Sequence, residues 1–434
     1  MARVKIDPVS NAVRASIRPP GSKSITNRAI VCAALASGRS ELSGVLDSED
    51  TAVMIEAWQH LGLHLVHDKA KHSLVINGGG GKTPVKDAEL FVANSGTTIR
   101  FLTAALAACE GRFRLDGVAR MRERPIADLL SALRRLGAKV ESVNAEHANC
   151  PPVLIEASGL AGGLATVEGK ISSQFLSGLM MAAPMAEADV ELQVVGELVS
   201  VPYVVMTAEV MRAFGAEISG NEQGPFTISA AKKYRGTKYA IEPDASAASY
   251  FWAAGAITGG VATVEGLGRS SLQGDVRFCE CLERMGCEVE YRSDSVTVRG
   301  GRLKGVDVDM SDISDTVQTL AAVALFADGP TTVRGVAHNR VKETDRITDL
   351  ACELRKLGAV VDEFHDGLRI HPPKEVTPCE IETYRDHRMA MSLALVGLRC
   401  AGLTILDPGC TAKTYPNFWE DFASFTRCGV RRFD

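Results

Sequence analysis

The sequence predicts an α/β (α+β) fold of two similar globular domains, each assembled from three repeats. Three observations carry that expectation: chain length, a sixfold internal repeat, and one almost uniformly apolar helix in every copy. At 434 residues the chain exceeds one ordinary core, and two domains of roughly 200 residues are the natural division.

The repeat comes in two pieces. The first is an amphipathic helix that ends at a glycine before a short strand, in the copies HLGLHLV, RLGAKVE, AFGAEIS, RMGCEVE, KLGAVVD and RCGVRRF. Their glycines, Gly62, Gly137, Gly215, Gly286, Gly358 and Gly429, follow at spacings of 75, 78, 71, 72 and 71 residues. A glycine there suits the left-handed residue that ends a helix and turns the chain into a strand. The second piece precedes the first and begins SKSITNRAIVCAALA, SGTTIRFLTAALAA, SSQFLSGLMMAAP, DASAASYFWAAGAI, ISDTVQTLAAVALF or DHRMAMSLALVGL. These helices are apolar nearly all round and should be buried. Each unit thus holds two helices and several strands in about 72 residues. Three units form each domain, with a break at 239–243, and the segments VKID and VRASIRPP read as lying outside the six units. The uncharged stretch 245–264, interrupted by Gly255, Gly259 and Gly260, reads as a buried helix running into a strand rather than a membrane span.

Composition narrows the function. A hydrophobic content of 46% with 23% charged residues is that of a globular protein. The net charge of −5 argues against nucleic acid as a partner, while small anions need only a local cluster of cations. The eleven cysteines are scattered, and Cys32, Cys109 and Cys400 sit in apolar helical runs, as reduced thiols of a cytoplasmic protein would. Cys279, Cys281 and Cys287 lack CxxC spacing and a nearby histidine, and the histidine-rich runs lack ligand spacing, so no metal is expected. MARVKIDPVS has neither the apolar centre of a secretion signal nor transit-peptide character. The run NGGGGKTP has Ile76 where a phosphate-binding loop needs its first glycine, and reads as a hairpin turn.

The buried helices begin with Ser, Thr, Asp or Gly, which are good caps, and a buried helix start offers unpaired N–H groups to an anion. Lys23, Arg28, Arg100, Lys342, Arg346 and Arg388 lie at those starts or beside them, and Arg124 in MRERP and Lys413 in CTAKTYP add two more. Taken singly, Ser22, Ser24, Ser172, Ser173, Asp244 and Asp315 are ordinary caps, and the arginines ordinary ion-pair partners. Their recurrence at corresponding points of six units suggests convergence on a ligand with several negative groups.

PGSKSITNRA, NSGTTIRFLTAAL, MRERPIADL, RVKETDRI, YRDHRMAM and DPGCTAKTYP together resemble the 5-enolpyruvylshikimate-3-phosphate synthase family, from about Pro19 to Phe418. The resemblance implies the enolpyruvyl transferase fold: two domains of three βαβαββ units with buried parallel helices, 21–241 forming one and 1–20 with 242–434 the other, and an active site in the cleft between them. It implies phosphoenolpyruvate and shikimate 3-phosphate as substrates, an enolpyruvyl transfer in the shikimate pathway to chorismate and aromatic amino acids, no cofactor, no membrane, and a monomer. It assigns Lys23, Ser24, Arg28, Ser172, Ser173, Gln174, Ser200, Tyr203, Asp315, His338 and Lys342 to shikimate 3-phosphate. Lys23, Asn94, Gly96, Arg100, Arg124, Gln174, Arg346, Arg388 and Lys413 go to phosphoenolpyruvate. Asp315 is expected as the base for the 5-hydroxyl, and Glu343 as proton donor and acceptor at C3, supported by Lys23. The chain departs from the family at Ser95, often Ala, at Phe101, often Pro, and at His338, where Asn is usual and Asn339 follows. The related transferase acting on UDP-N-acetylglucosamine carries a catalytic Cys where Ala119 stands, which disfavours that activity; a non-catalytic protein binding phosphorylated metabolites would need the cations but not Asp315, Glu343 and Lys23 together.

Overall fold

The computed structural model describes residues 2–169 and 172–433. The chain forms two compact units, one of Gly21–Ile241 and one of Met1–Pro20 with Glu242–Asp434. The described residues form six four-stranded sheets, three in each unit. The second copy shows the pattern. Strand Asp87–Phe91 runs parallel to Glu110–Asp116, which pairs antiparallel with Val153–Ser158, and Lys139–Ser142 closes the far edge. In space the four strands therefore stand first, second, fourth, third, and the two helices of the copy fall after the first and second strands.

The helices come in pairs, one pair per copy. They are α1 (Lys23–Leu35) and α2 (Glu49–His60), then α3 (Gly96–Ala107) and α4 (Ala127–Arg135), then α5 (Ser173–Ala182) and α6 (Val201–Ala213). The other unit has α7 (Ala245–Thr258) and α8 (Phe278–Arg284), α9 (Val317–Ala324) and α10 (Thr348–Lys356), and α11 (His387–Ala394) and α12 (Phe418–Thr426). The first helix of each pair is the apolar one, and every residue of α3, α9 and α11 is buried. In one unit α1, α3 and α5 pack on one another; in the other α9 packs against both α7 and α11. Each large side chain buried there, such as Phe101, Phe175 or Trp252, adds roughly 1.5–3 kcal/mol. Trp252 also satisfies its indole N–H on the Val296 carbonyl, at 3.0 Å. The stretch 245–264 is α7 running into strand Val261–Glu265. Among the described residues no helix is long and apolar enough to cross a membrane.

Two expectations need correction. VKID and VRASIRPP are not outside the repeats. Arg3–Ile6 lies between Thr404–Leu406 and Val430–Phe433 in the sixth sheet, and Arg14–Ile17 is the first strand of the fourth, parallel to Val261–Glu265. Likewise Lys238–Ala240, at the break, is the first strand of the first sheet, parallel to Ser37–Ser43. A repeat cut from contiguous sequence shows only contiguous strands, whereas a parallel partner can be recruited from anywhere in the chain. The second correction concerns the helix-ending glycines. Gly62, Gly137, Gly215, Gly286 and Gly358 have φ of 89°, 96°, 95°, 107° and 93°. Gly429 does not share that geometry: Arg427, with φ 58°, ends α12 instead. Gly429 is small for another reason, since a Cβ there would stand 2.5 Å from a carboxylate oxygen of Asp7.

Candidate active site

In the unit Gly21–Ile241 the candidate residues gather at the starts of α1, α3 and α5. Ser22, Ser95 and Ser172 cap them, accepting from the N–H groups of Ile25, Thr98 and Gln174. Ser95 therefore closes a helix start that an alanine side chain could not. Lys23 and Ser24 open α1 half-buried, while Arg28, one turn on, is buried. Its guanidinium donates to Thr207 Oγ1 at 2.7 Å, the Ser24 carbonyl at 3.0 Å, the Tyr203 carbonyl at 3.2 Å and Ser177 Oγ at 3.3 Å. The Phe101 ring lies 5.1 Å beneath it and the Tyr203 ring 6.0 Å away, so Phe101 is a cation–π platform. All these partners are formally neutral. Burial pushes the Arg28 pKa down to about 10, with Tyr203 and Cys32 only partly opposing it.

Arg100 and Arg124 converge on Gly96, the first residue of α3. A Cβ at Gly96 would meet Arg124 Nη2 at 2.4 Å and Arg100 Nη1 at 2.7 Å. Arg100 donates to Gln174 Oε1 at 2.7 Å and to the Gly96 and Pro125 carbonyls at 3.3 Å, and Arg124 reaches the Asn94 carbonyl at 3.3 Å. Asn94, Gly96, Arg100, Arg124 and Gln174 thus form one connected group at two helix starts. Ser173 is the buried first residue of α5. Ser200 precedes α6 in the left-handed region, φ 57°, and its carbonyl accepts from the Tyr203 N–H at 3.0 Å.

In the other unit the chemistry is a buried array of alternating charges. Arg346 donates from Nε to Asp386 at 2.7 Å, from Nη1 to Asp315 at 3.1 Å and from Nη2 to Glu343 at 2.8 Å. Arg388 reaches the second Asp315 oxygen at 2.6 Å, and Lys413 the second Glu343 oxygen at 2.6 Å. Burial acts to lower the Arg346 pKa, yet Asp386, Glu343 and Asp315 together carry it above the usual arginine value. Asp315 is not a helix cap: Thr316 takes that position on α9, and the Asp315 carboxylate is held between two guanidiniums. Lys342 sits half-buried beside Glu343.

Asp386 is the residue that sequence reasoning passed over. It is fully buried, caps α11 through the Arg388 N–H at 2.8 Å, and holds Arg346. Its signal was there to be read, as the cap position of the sixth apolar helix, directly before His387 and Arg388. His338 is 7% exposed, and burial, with Lys342 adding repulsion, pushes its pKa down to about 3, so the imidazole is neutral. Its Nε2 and the Asn339 side-chain oxygen have no hydrogen-bond partner among the described residues. Asn339 is tied to the Asp315 segment, donating to the Ser314 carbonyl at 3.0 Å.

Backbone strain marks the same places. Ala93, Ser200, Tyr384, Arg385 and Asp407 are non-glycine residues with φ of 48°, 57°, 53°, 56° and 46°. They directly precede Asn94, α6, Asp386 and the turn Pro408–Lys413, and such residues cost about 1–3 kcal/mol each.

The chain matches the family of EPSP synthase (3-phosphoshikimate 1-carboxyvinyltransferase) over residues 8–422. It belongs to that family. It is 45% identical to the 3-phosphoshikimate 1-carboxyvinyltransferase of Vibrio vulnificus, over 98% of this chain and 99% of that one. It is 47% identical to the chloroplastic protein of that name from Brassica napus, over 95% of this chain and 83% of that one. The solved EPSP synthase of Acinetobacter baumannii matches the fold with a TM-score of 0.83 at 27% identity, over the whole of both chains. An enolpyruvyl transferase from Streptomyces tendae matches with 0.80 at 21% identity, over 100% of this chain and 99% of that one, a likeness of fold. Like that enolpyruvyl transferase and the EPSP synthases, the chain is a mixed α/β protein of small sheets.

Proposed function

We propose that the chain transfers the enolpyruvyl group of phosphoenolpyruvate to the 5-hydroxyl of shikimate 3-phosphate and releases phosphate. Membership of the EPSP synthase family supports the reaction. The observation that carries the chemistry is the pair Asp315 and Glu343, each held between two buried cations. The reaction needs two proton-transfer groups and compensation for a carboxylate and a phosphate, and this array supplies both kinds of group.

In the proposed sequence Asp315 takes the proton of the 5-hydroxyl as its oxygen attacks C2 of phosphoenolpyruvate. Glu343, having taken up a proton as its cations turn to the substrate anions, delivers it to C3, and a tetrahedral adduct forms. The C2–O bond to phosphate then breaks while C3 returns its proton to Glu343, so the vinyl group is restored and phosphate departs with the bonding electron pair. Lys23 assists proton transfer. The anions of phosphoenolpyruvate take Arg346, Arg388 and Lys413 as partners in place of the protein's own carboxylates, which frees Asp315 and Glu343 for proton transfer. The forked guanidinium suits both carboxylate and phosphate. Arg100 and Arg124 over Gly96 serve phosphoenolpyruvate too, and Arg28 with Ser24, Ser172, Ser173, Gln174, Ser200 and Tyr203 receives shikimate 3-phosphate. The chain acts as a monomer in this reading.

The deciding experiment is phosphate release by the purified protein with both substrates in EDTA. Release that needs both substrates and persists in EDTA is expected. No release with either shikimate 3-phosphate or UDP-N-acetylglucosamine as acceptor would refute the reading and leave a binding protein.

A further inference from the structure

A buried carboxylate outside this chemistry stands next to it in sequence and structure. Glu353, on α10, is 1% exposed and belongs to no substrate set given above. Its Oε1 accepts the Tyr384 hydroxyl at 2.8 Å, its Oε2 accepts the Glu382 N–H at 3.1 Å, and Lys356 pairs with it from the next turn of the helix. Burial, then the hydrogen bond and the charge of Glu353, raise the Tyr384 pKa above its usual value, so the phenol keeps its proton and donates it.

What Glu353 grips is the strained turn before α11. Tyr384 and Arg385 are consecutive left-handed residues without glycine, with φ of 53° and 56°. Two further bonds close the turn: the Tyr384 N–H donates to Glu382 Oε1 at 3.3 Å, and the Asp386 N–H to the Thr383 carbonyl at 2.8 Å. The next residue, Asp386, caps α11 and holds Arg346, and Arg388 follows on the first turn of that helix. A turn that L residues adopt reluctantly needs an outside anchor. A buried carboxylate that accepts both a side-chain O–H and a backbone N–H of one turn is such an anchor.

We propose that Glu353 is a positioning residue of the active site. Through Tyr384 and Glu382 it fixes the turn that aims Asp386, and through Asp386 it sets Arg346 and Arg388 for the anions of phosphoenolpyruvate. Glu353 itself touches no reacting atom. The proposal rests on the enolpyruvyl-transfer reading.

The test is steady-state kinetics on the full chain carrying Tyr384→Phe or Glu353→Gln, with melting temperatures alongside. Tyr384→Phe removes one oxygen and should fold even if Glu353→Gln does not. Both variants should raise the KM for phosphoenolpyruvate by roughly tenfold to a hundredfold, the size of a lost hydrogen bond to a charged group. The KM for shikimate 3-phosphate should stay within about twofold, and Glu353→Gln in the Tyr384→Phe background should add little, since the two act on one turn. A lowered melting temperature with wild-type KM values in either folded variant would overturn the proposal, as would an equal rise for both substrates. A wild-type chain without phosphate release would instead sink the functional reading, so the two failures are distinguishable.

Discussion

Arg28 and Arg346 are equally buried, at 2% exposure each, and their surroundings are opposite. Arg28 spends its N–H groups on two hydroxyls and two carbonyls and lies over a phenylalanine ring, and burial lowers its pKa to about 10. Arg346 is ringed by three carboxylates, and despite burial its pKa rises. A buried cation among neutral dipoles gains much when an anion arrives. One among carboxylates gains only if the arriving anion replaces them. In the proposed reaction the first arrangement suits tight capture of a substrate phosphate, and the second suits exchange of partners during catalysis.

The largest expected effect tests the carboxylates around Arg346. Asp315→Ala and Glu343→Ala should each lower turnover by roughly 10²–10⁴-fold, measured as phosphate release at saturating substrates. Turnover near wild type in either would remove that residue from the chemistry. Next come the two arginines. Arg346→Met leaves buried Asp386 and partly buried Asp315 and Glu343 short of a partner and should cost about 3–5 kcal/mol in denaturant unfolding. Arg28→Met removes a buried charge that none of its bonded partners neutralises, and should change stability by about 1 kcal/mol or less. It should instead raise the KM for shikimate 3-phosphate by roughly tenfold to a hundredfold. Equal destabilisation by both substitutions would abolish the distinction drawn between them.

His338 gives a smaller, pH-dependent effect. The unfolded histidine takes up a proton below about pH 6.5, while the folded one does so only near pH 3, so acid favours the unfolded chain across that interval. Stability of the wild type relative to His338→Asn should therefore fall on acidification, by at most about 1.4 kcal/mol per pH unit. Parallel stability curves for the two proteins between pH 6.5 and 4 would contradict this. The smallest effect is at Gly96. Gly96→Ala displaces the Arg100 and Arg124 guanidiniums, which are flexible side-chain ends. A rise of roughly tenfold in the KM for phosphoenolpyruvate, with an unchanged melting point, is expected.

What the sequence made legible was local. Apolar helices with polar caps, and glycines that end helices, leave their mark within a few residues of the chain, and five of the six marked glycines take up left-handed backbone. What it hid was non-local. Nothing in RVKI says that its ladder partners are 404–406 and 430–433, because pairing is written in backbone groups that every residue shares. The charge array was hidden for a related reason. Asp315 looked like a cap because Asp commonly is one, and only the fold brings it to Arg346 and Arg388. Asp386 and Glu353 drew no notice in the sequence, since burial of a carboxylate is a property of the packing around it.

The position of the strand Arg3–Ile6 bears on how the chain is made. It is translated well before its two neighbours in the sheet, Thr404–Leu406 and Val430–Phe433. At about 5–20 residues per second, it must wait tens of seconds with unpaired edges for a partner to be translated. The unit Gly21–Ile241 is one uninterrupted stretch of chain and can complete its three sheets meanwhile. Synthesis thus imposes an order on the two halves, and Arg3–Ile6 is a strand that a chaperone would have to shield until residues 404–433 are made.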